Sequence, residues 1–223
     1  MDFIRWEESS QLDCASILAL IGSCRAKCEE IHAKFVGGSL VAWLIVENDI
    51  NDFLYDDVFI QYAACKELLD IVSSIIGNNI TATHSMLINK PPGSSSDASR
   101  HPMHQDQYYF PFGPPEHVVA AWTALETINE ENGCLFVLPG THTGKLYLHD
   151  YPKGFRRAIS VHYVDTNCEF FDFKETTREN IAHEIVQMFA KKGVKLSYQD
   201  IWKYKGRLIR GPPGNFQKYT SRL

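Results

Sequence analysis

The hydrophobic period of this chain changes at Gly77-Asn78, and that change sets the fold class. Before it, Phe59–Ile76 carries Ile60, Ala64, Leu68, Ile71, Val72 and Ile75 at helical spacing. Gly77-Asn78 is placed to cap that helix. After it, Ile80–Asn89 is strand-like, followed by a loop rich in Pro, Gly and Ser over Lys90–Ser99. His117–Leu125 reads as a strand apolar along much of its length, hence buried on both faces. Cys134–Leu138, closed by Pro139-Gly140, and Ala158–Val164 are further strands. A last helix is predicted from about Thr177 to Lys191. Ile181, Ile185, Val186 and Phe189 form its buried stripe, Thr176 and Glu179 a capping box, and Gly193 its stop. Cys14–Phe35 reads as one or two helices with Ile17, Leu18, Leu20 and Ile21 on an apolar face. Helices at both ends around several strands predict a mostly β core with flanking helices.

Composition bounds the class. With 223 residues, 44% hydrophobic and 22% charged, the chain suits one globular domain. A net charge of −5 argues against a general nucleic-acid binder. The longest apolar runs, Ala15–Ile21 and Leu40–Val46, fall short of the ~20 residues of a membrane span. The start lacks the basic and apolar regions of a signal peptide. Six cysteines (14, 24, 28, 65, 134 and 168) form no C-x-x-C pair, as expected for reduced thiols in an intracellular protein; Cys24 and Cys28 read as helix packing residues.

The chemistry concentrates at His104-Gln105-Asp106. In extended backbone, residues two apart point to the same side, so one imidazole and one carboxylate aim at one point. That is two-thirds of the 2-His-1-carboxylate triad, which holds Fe(II) on one face and leaves positions open. Taken alone, the motif is a weak signal and reads more readily as a loop histidine beside a surface aspartate.

The surrounding strings narrow the choice. Thr83-His-Ser-Met-Leu-Ile-Asn-Lys-Pro-Pro92, Arg100–Phe112, Ala121-Trp-Thr-Ala-Leu125, Asn132–His142, His149-Asp-Tyr-Pro152 and Gly154-Phe-Arg-Arg-Ala-Ile-Ser160 occur in order. Together, over about Asp52 to Trp202, they resemble the phytanoyl-CoA dioxygenase family. The resemblance implies a double-stranded β-helix, a cupin-like jelly roll, incomplete in this chain. It implies Fe(II), 2-oxoglutarate and O₂, with ascorbate needed for full activity, and hydroxylation at C2 of phytanoyl-CoA or a similar branched acyl-CoA in peroxisomal α-oxidation. It assigns His104 and Asp106 to the metal and Arg156 to the distal carboxylate of 2-oxoglutarate, where a guanidinium grips with two charge-assisted bonds. Without the resemblance, Arg156 reads as a surface cation beside Arg157. Met86, Gln105 and Trp122 match positions around the cosubstrate; without the resemblance, Met86 and Trp122 read as core.

Two departures qualify that reading. The family has a second iron-binding histidine eleven residues before the arginine. Counting back from Arg156 reaches Lys145, an ammonium that cannot serve. The chain also runs from His149–Lys153 straight into Gly154, where the family has several dozen residues carrying two core strands and that histidine. His142 and His149 lie in matched strings that do not bind iron, His117 opens a strand away from the site, and His183 lies on the last helix. His162, six residues after Arg156, shares its side of a regular strand, but alternation alone does not bring it to the metal. Asp49 stands where the family has a lysine near the cosubstrate. This exact chain is therefore expected to be far less active than a complete relative; the alternative reading is an inactive shortened isoform or a gene-model fragment.

The expected organisation is a divergent helical segment over 1–51, the family domain over 52–210 and a tail over 211–223. Lys203, Lys205, Arg207, Arg210 and Lys218 make the end basic, and Gly211-Pro-Pro-Gly214 predicts a break from the folded body. Ser221-Arg222-Leu223 is a variant of the Ser-Lys-Leu address, so a peroxisomal import receptor is an expected partner.

Overall fold

Residues 80–90 dominate the architecture because they form the strand between two others in the main sheet. The protein is seen in a computed structural model that describes residues 18–27, 53–90, 104–129, 135, 156–191 and 193–218. Helix α1 covers residues 18–27. It is followed by α2 (Phe59–Ala63), α3 (Lys66–Ile76), β1 (Ile80–Lys90), β2 (Phe112–Gly113), β3 (Val118–Ala124), β4 (Arg156–Asp165), β5 (Glu169–Phe170), α4 (Glu179–Lys191), α5 (Tyr198–Lys205) and β6 (Arg207–Arg210). The main sheet has the order β3-β4-β1-β6, with all neighbours antiparallel, and β2 pairs with β5 in a second, two-stranded sheet. Mostly antiparallel sheet with flanking helices is the class expected. The predicted strand Cys134–Leu138 lies outside the described residues apart from Leu135, which is in no strand. Among the described residues no helix is long and apolar enough to cross a membrane.

Alternation along β4 sorts the sheet into two faces. Ile159, Val161 and Tyr163 are buried in a core shared with α2 and α3, through Phe59, Tyr62, Leu69, Val72 and Ile76. Val164, on the opposite face, joins an aromatic core of Phe110, Phe112, Phe173, Tyr198, Trp202 and Phe216. On β1 the faces exchange at Thr83, where the register shifts between Ala82 and His84. Before it, Ala82 pairs with Tyr163; after it, His84 pairs with His162. A bulge re-aims a strand in this way. Here it turns His84 and Met86 toward the face opposite the helices.

Three local expectations need correction. The predicted helix Phe59–Ile76 is two helices, interrupted at Ala64 and Cys65, with Cys65 extended (φ −65°, ψ 139°). Both pieces bury one side in the same core, so the helical pattern runs through the break unmarked. The box predicted for α4 is shifted by one residue. Thr176 Oγ1 accepts from the Arg178 amide, while the Glu179 carboxylate accepts from the Glu175 amide rather than from that of Thr176. Finally, the folded body does not end near residue 210. Gly211 takes φ +85° beside Asn79, where a side chain would collide, and the chain then docks a turn at Asn215–Gln217 whose Phe216 is 1% exposed. Unforeseen from sequence, α5 and β6 complete this side; Ser197 caps α5 by accepting from the Asp200 amide. Cys24, Cys65 and Cys168 are free thiols, and burial pushes Cys24 up to about 11 and Cys168 to about 12.

Candidate metal and cosubstrate site

The turn that carries His104 and Asp106 is fixed from both sides. Gln105 is extended (φ −105°, ψ 123°), which sends the side chains before and after it the same way. Asp106 then opens a 3-10 turn, Asp106–Tyr109, rather than continuing a strand. The Tyr108 amide donates to the Gln105 carbonyl at 2.9 Å, Gln107 Nε2 donates to the Phe112 carbonyl at 2.7 Å, and the Tyr198 hydroxyl on α5 donates to the Tyr109 carbonyl. Beneath the turn, Phe110 meets Phe112 and Trp202 at ring separations of 5.0 Å each. A rigid aromatic floor therefore sets the height of the motif.

The structure brings His104 and Asp106 together in direct contact: His104 Nε2 lies 2.8 Å from Asp106 Oδ1. The structure adds a partner that sequence reasoning set aside. His162 Nε2 lies 2.7 Å from Asp106 Oδ2. The His162 ring is only 2% exposed, stacked on His84 at 5.5 Å and edge-on to Phe110 at 5.0 Å. Its Nδ1 is buried and meets no hydrogen-bonding partner among the described residues. Burial pushes the Asp106 carboxyl upward, but hydrogen bonds from both histidines and their charges outweigh it. The group is held well below the usual carboxylate range.

Cross-strand register extends the site along the sheet. Paired residues in adjacent strands share a face. His84, His162 and Ala120 form one row, and Met86, Ser160 and Trp122 form the next. Two residues separate the rows along β4, about 7 Å at strand rise. Arg156 opens β4 opposite Lys90; six residues from His162, it lies about 20 Å away along the strand. Only the backbone of Arg156 is described. Met86, Ser160 and Trp122 thus stand between the His162 row and the arginine. Arg157 is committed elsewhere: its backbone amide and guanidinium hold Glu126 at 2.6 and 3.0 Å. Lys145, His142, His149, Asp49 and Ser221–Leu223 lie outside the described residues.

Two imidazoles and one carboxylate are a donor set that suits a non-heme Fe(II) centre. They are not yet arranged around one point. Asp106 stands between the rings with one oxygen toward each, and among the described residues no three such side chains form a ready-made metal cage. The remaining described histidines are occupied at other places. His84 Nδ1 accepts from Lys205 Nζ at 2.8 Å, His117 lies 3.8 Å from Asp165, and His183 bonds Gln187 at 2.7 Å. The signal for His162 was present in the sequence as alternation from Arg156. What alternation could not supply was the turn at Asp106, which brings the carboxylate to His162.

Known proteins share this arrangement of sequence and fold. The chain is 38% identical over 216 residues to peroxisomal phytanoyl-CoA dioxygenase of Bos taurus, covering 74% of this chain and 64% of that one. It is 37% identical over 217 residues to that of Homo sapiens, with the same coverage. The chain thus spans about 64% of the length of these curated relatives. An alignment of 216 positions that takes in 74% of 223 residues leaves several dozen positions where this chain has no residue. Among solved structures, the non-heme monooxygenase ThoJ in its nickel complex superposes with a TM-score of 0.55 at 17% identity, over 89% of this chain and 77% of that one. The non-heme alpha ketoglutarate dependent epimerase SnoN from nogalamycin biosynthesis gives 0.51 at 15% identity, over 74% and 78%. These likenesses place the antiparallel sheet in the double-stranded β-helix fold of non-heme oxygenases. The sequence profile of the family described as phytanoyl-CoA dioxygenase (PhyH) matches residues 28–194, three-quarters of the chain, and the chain belongs to that family.

Proposed function

We propose that this chain is an Fe(II)- and 2-oxoglutarate-dependent oxygenase that hydroxylates C2 of phytanoyl-CoA or a similar branched acyl-CoA in peroxisomal α-oxidation. The observation that carries the reading is the contact of His104 with Asp106, beside His162 of β4, in a chain of this family. His104 and Asp106 would hold the metal, which supplies the activation of O₂ coupled to decarboxylation of 2-oxoglutarate.

The chain's own residues do the rest of the work by positioning. The row of Met86, Ser160 and Trp122 offers a mostly apolar floor for the chain of the cosubstrate. Arg156 would receive its distal carboxylate, and Gln105, between the two metal-binding residues in sequence, would line the opposite end. Phe110 packs edge-on against the buried His162 ring, and Trp202 packs against His84 beside it. Ascorbate would supply the electrons that keep the metal reduced.

The test is conversion of 2-oxoglutarate to succinate by the 223-residue chain with Fe(II), ascorbate and phytanoyl-CoA, alongside appearance of a 2-hydroxyacyl-CoA. Succinate without a hydroxylated product would keep the cosubstrate chemistry and reject this acyl-CoA. No succinate would reject the oxygenase reading for this chain. A second reading, a shortened form without turnover, is favoured by the several dozen positions missing from the alignment. The same assay decides between them.

Peroxisomal location is part of the proposal. It is supported by the location named for the relatives and by Ser221-Arg222-Leu223. A fluorescent reporter ending in the last dozen residues is expected in peroxisomes, and a cytosolic reporter would reject the address.

A further inference from the structure

We infer that His162 supplies the second protein nitrogen to the divalent metal at His104 and Asp106, replacing the histidine that the family carries upstream of its arginine. The purpose of that metal rests on the oxygenase reading, whereas the place of His162 rests on geometry alone.

The first argument is distance. Two ligands about 2.1 Å from one metal and at right angles are about 3.0 Å apart. The Nε2 atoms of His162 and His104 lie 2.7 and 2.8 Å from the two oxygens of Asp106. Each histidine is thus already near the separation from the carboxylate that adjacent ligands require. For both nitrogens to meet the same ion, the carboxylate has to turn out from between the rings and the two rings have to close on one point, since each now faces a different oxygen. Asp106 is 42% exposed at the first position of its turn, so its side chain has room to do so.

The second argument is the setting of the His162 ring. It is held by packing rather than by polar bonds, between His84 and Phe110. Its one hydrogen-bonding contact among the described residues is the carboxylate of Asp106. A buried imidazole whose Nε2 faces only a metal-binding carboxylate is oriented for a cation. Of the described histidines, only His104 and His162 contact Asp106. Lys145 brings an ammonium, and His84 already accepts from Lys205.

The test counts nitrogens as well as activity. The 223-residue chain is loaded with Cu(II), and pulsed electron paramagnetic resonance counts the coupled imidazoles. Two are expected in the parent chain and one in His162→Gln. Co(II) titration should show a loss of affinity of at least ~100-fold in His162→Gln, beyond the ~10–100-fold that losing an outer-shell partner costs. His84→Gln should keep two imidazoles. One coupled imidazole in the parent chain, or two retained in His162→Gln, overturns the proposal, as does a parent chain that binds neither metal. The parent count stands even if His162→Gln does not fold, which far-UV circular dichroism shows. Two imidazoles with no succinate formation would leave this site standing and reject the oxygenase reading; succinate formation with one imidazole would do the reverse.

Discussion

Asp106→Asn is expected to abolish turnover and to weaken Co(II) or Fe(II) binding by ~100-fold or more. Both imidazoles at the site address this one carboxylate, so its charge is the common element of the donor set. Asparagine keeps the shape and removes the anion. The fold should survive, because the carboxylate is partly exposed and the turn is held by Gln105, Gln107 and Tyr198. Circular dichroism equal to the parent, with binding and succinate formation lost, is the expected result. Normal metal affinity in Asp106→Asn would remove the carboxylate from the centre.

The same carboxylate has a signed effect on stability. Its folded value lies below its unfolded value because the two histidines favour the anion more than burial opposes it. The stabilisation is therefore present above the unfolded carboxylate range and is lost as pH falls through the lowered folded value. In Asp106→Asn that contribution to the acid side of the stability profile should be absent.

How much of this site the sequence revealed depended on distance along the chain. His104 and Asp106 were legible because two residues apart in extended backbone is a local relation. Period alone located β1, β3, β4 and α4, since each buries a regular stripe or alternates faces. The pairing of His162 with Asp106 was not legible. It spans 56 positions and depends on the turn at Asp106, which period does not reveal. Helix α5 escaped for a different reason. Its buried residues Tyr198, Ile201, Trp202 and Lys205 include two aromatics with polar tips and a lysine, so its apolar stripe is weak. Lys205 is nonetheless buried, over the Trp202 ring at 4.8 Å and bonded to His84, whose ring stacks on His162. A segment read as a basic tail thus begins in the wall of the site.

Phe216→Ala tests that conclusion with a large effect on stability. Glycines and prolines at 211–214 signalled an end to the folded body, yet five residues after Gly211 an aromatic ring returns to the core. Phe216 packs on Phe112 and Phe170 at ring separations of 5.1 and 4.7 Å and is 1% exposed. Its amide donates to the Thr166 carbonyl at 3.3 Å, and Gln217 Nε2 donates to Thr81 Oγ1 at 3.0 Å on β1. Truncating a buried Phe to Ala costs ~3–5 kcal/mol through lost transfer energy and the cavity left behind. Against a total stability of about 5–15 kcal/mol, that is a large share. With a urea slope of about 1–3 kcal/mol/M, the midpoint should fall by ~1–5 M while the slope is unchanged. Lys218→Ala, two residues on, removes an exposed contact to Asn215 and should shift stability by no more than ~0.5 kcal/mol. A midpoint unmoved in Phe216→Ala would mean that the chain beyond Gly211 is a solvated tail after all. A large fall would show that residues 215–217 are structural, with Phe216 closing the aromatic floor formed with Phe112 and Trp202 next to the Asp106–Tyr109 turn.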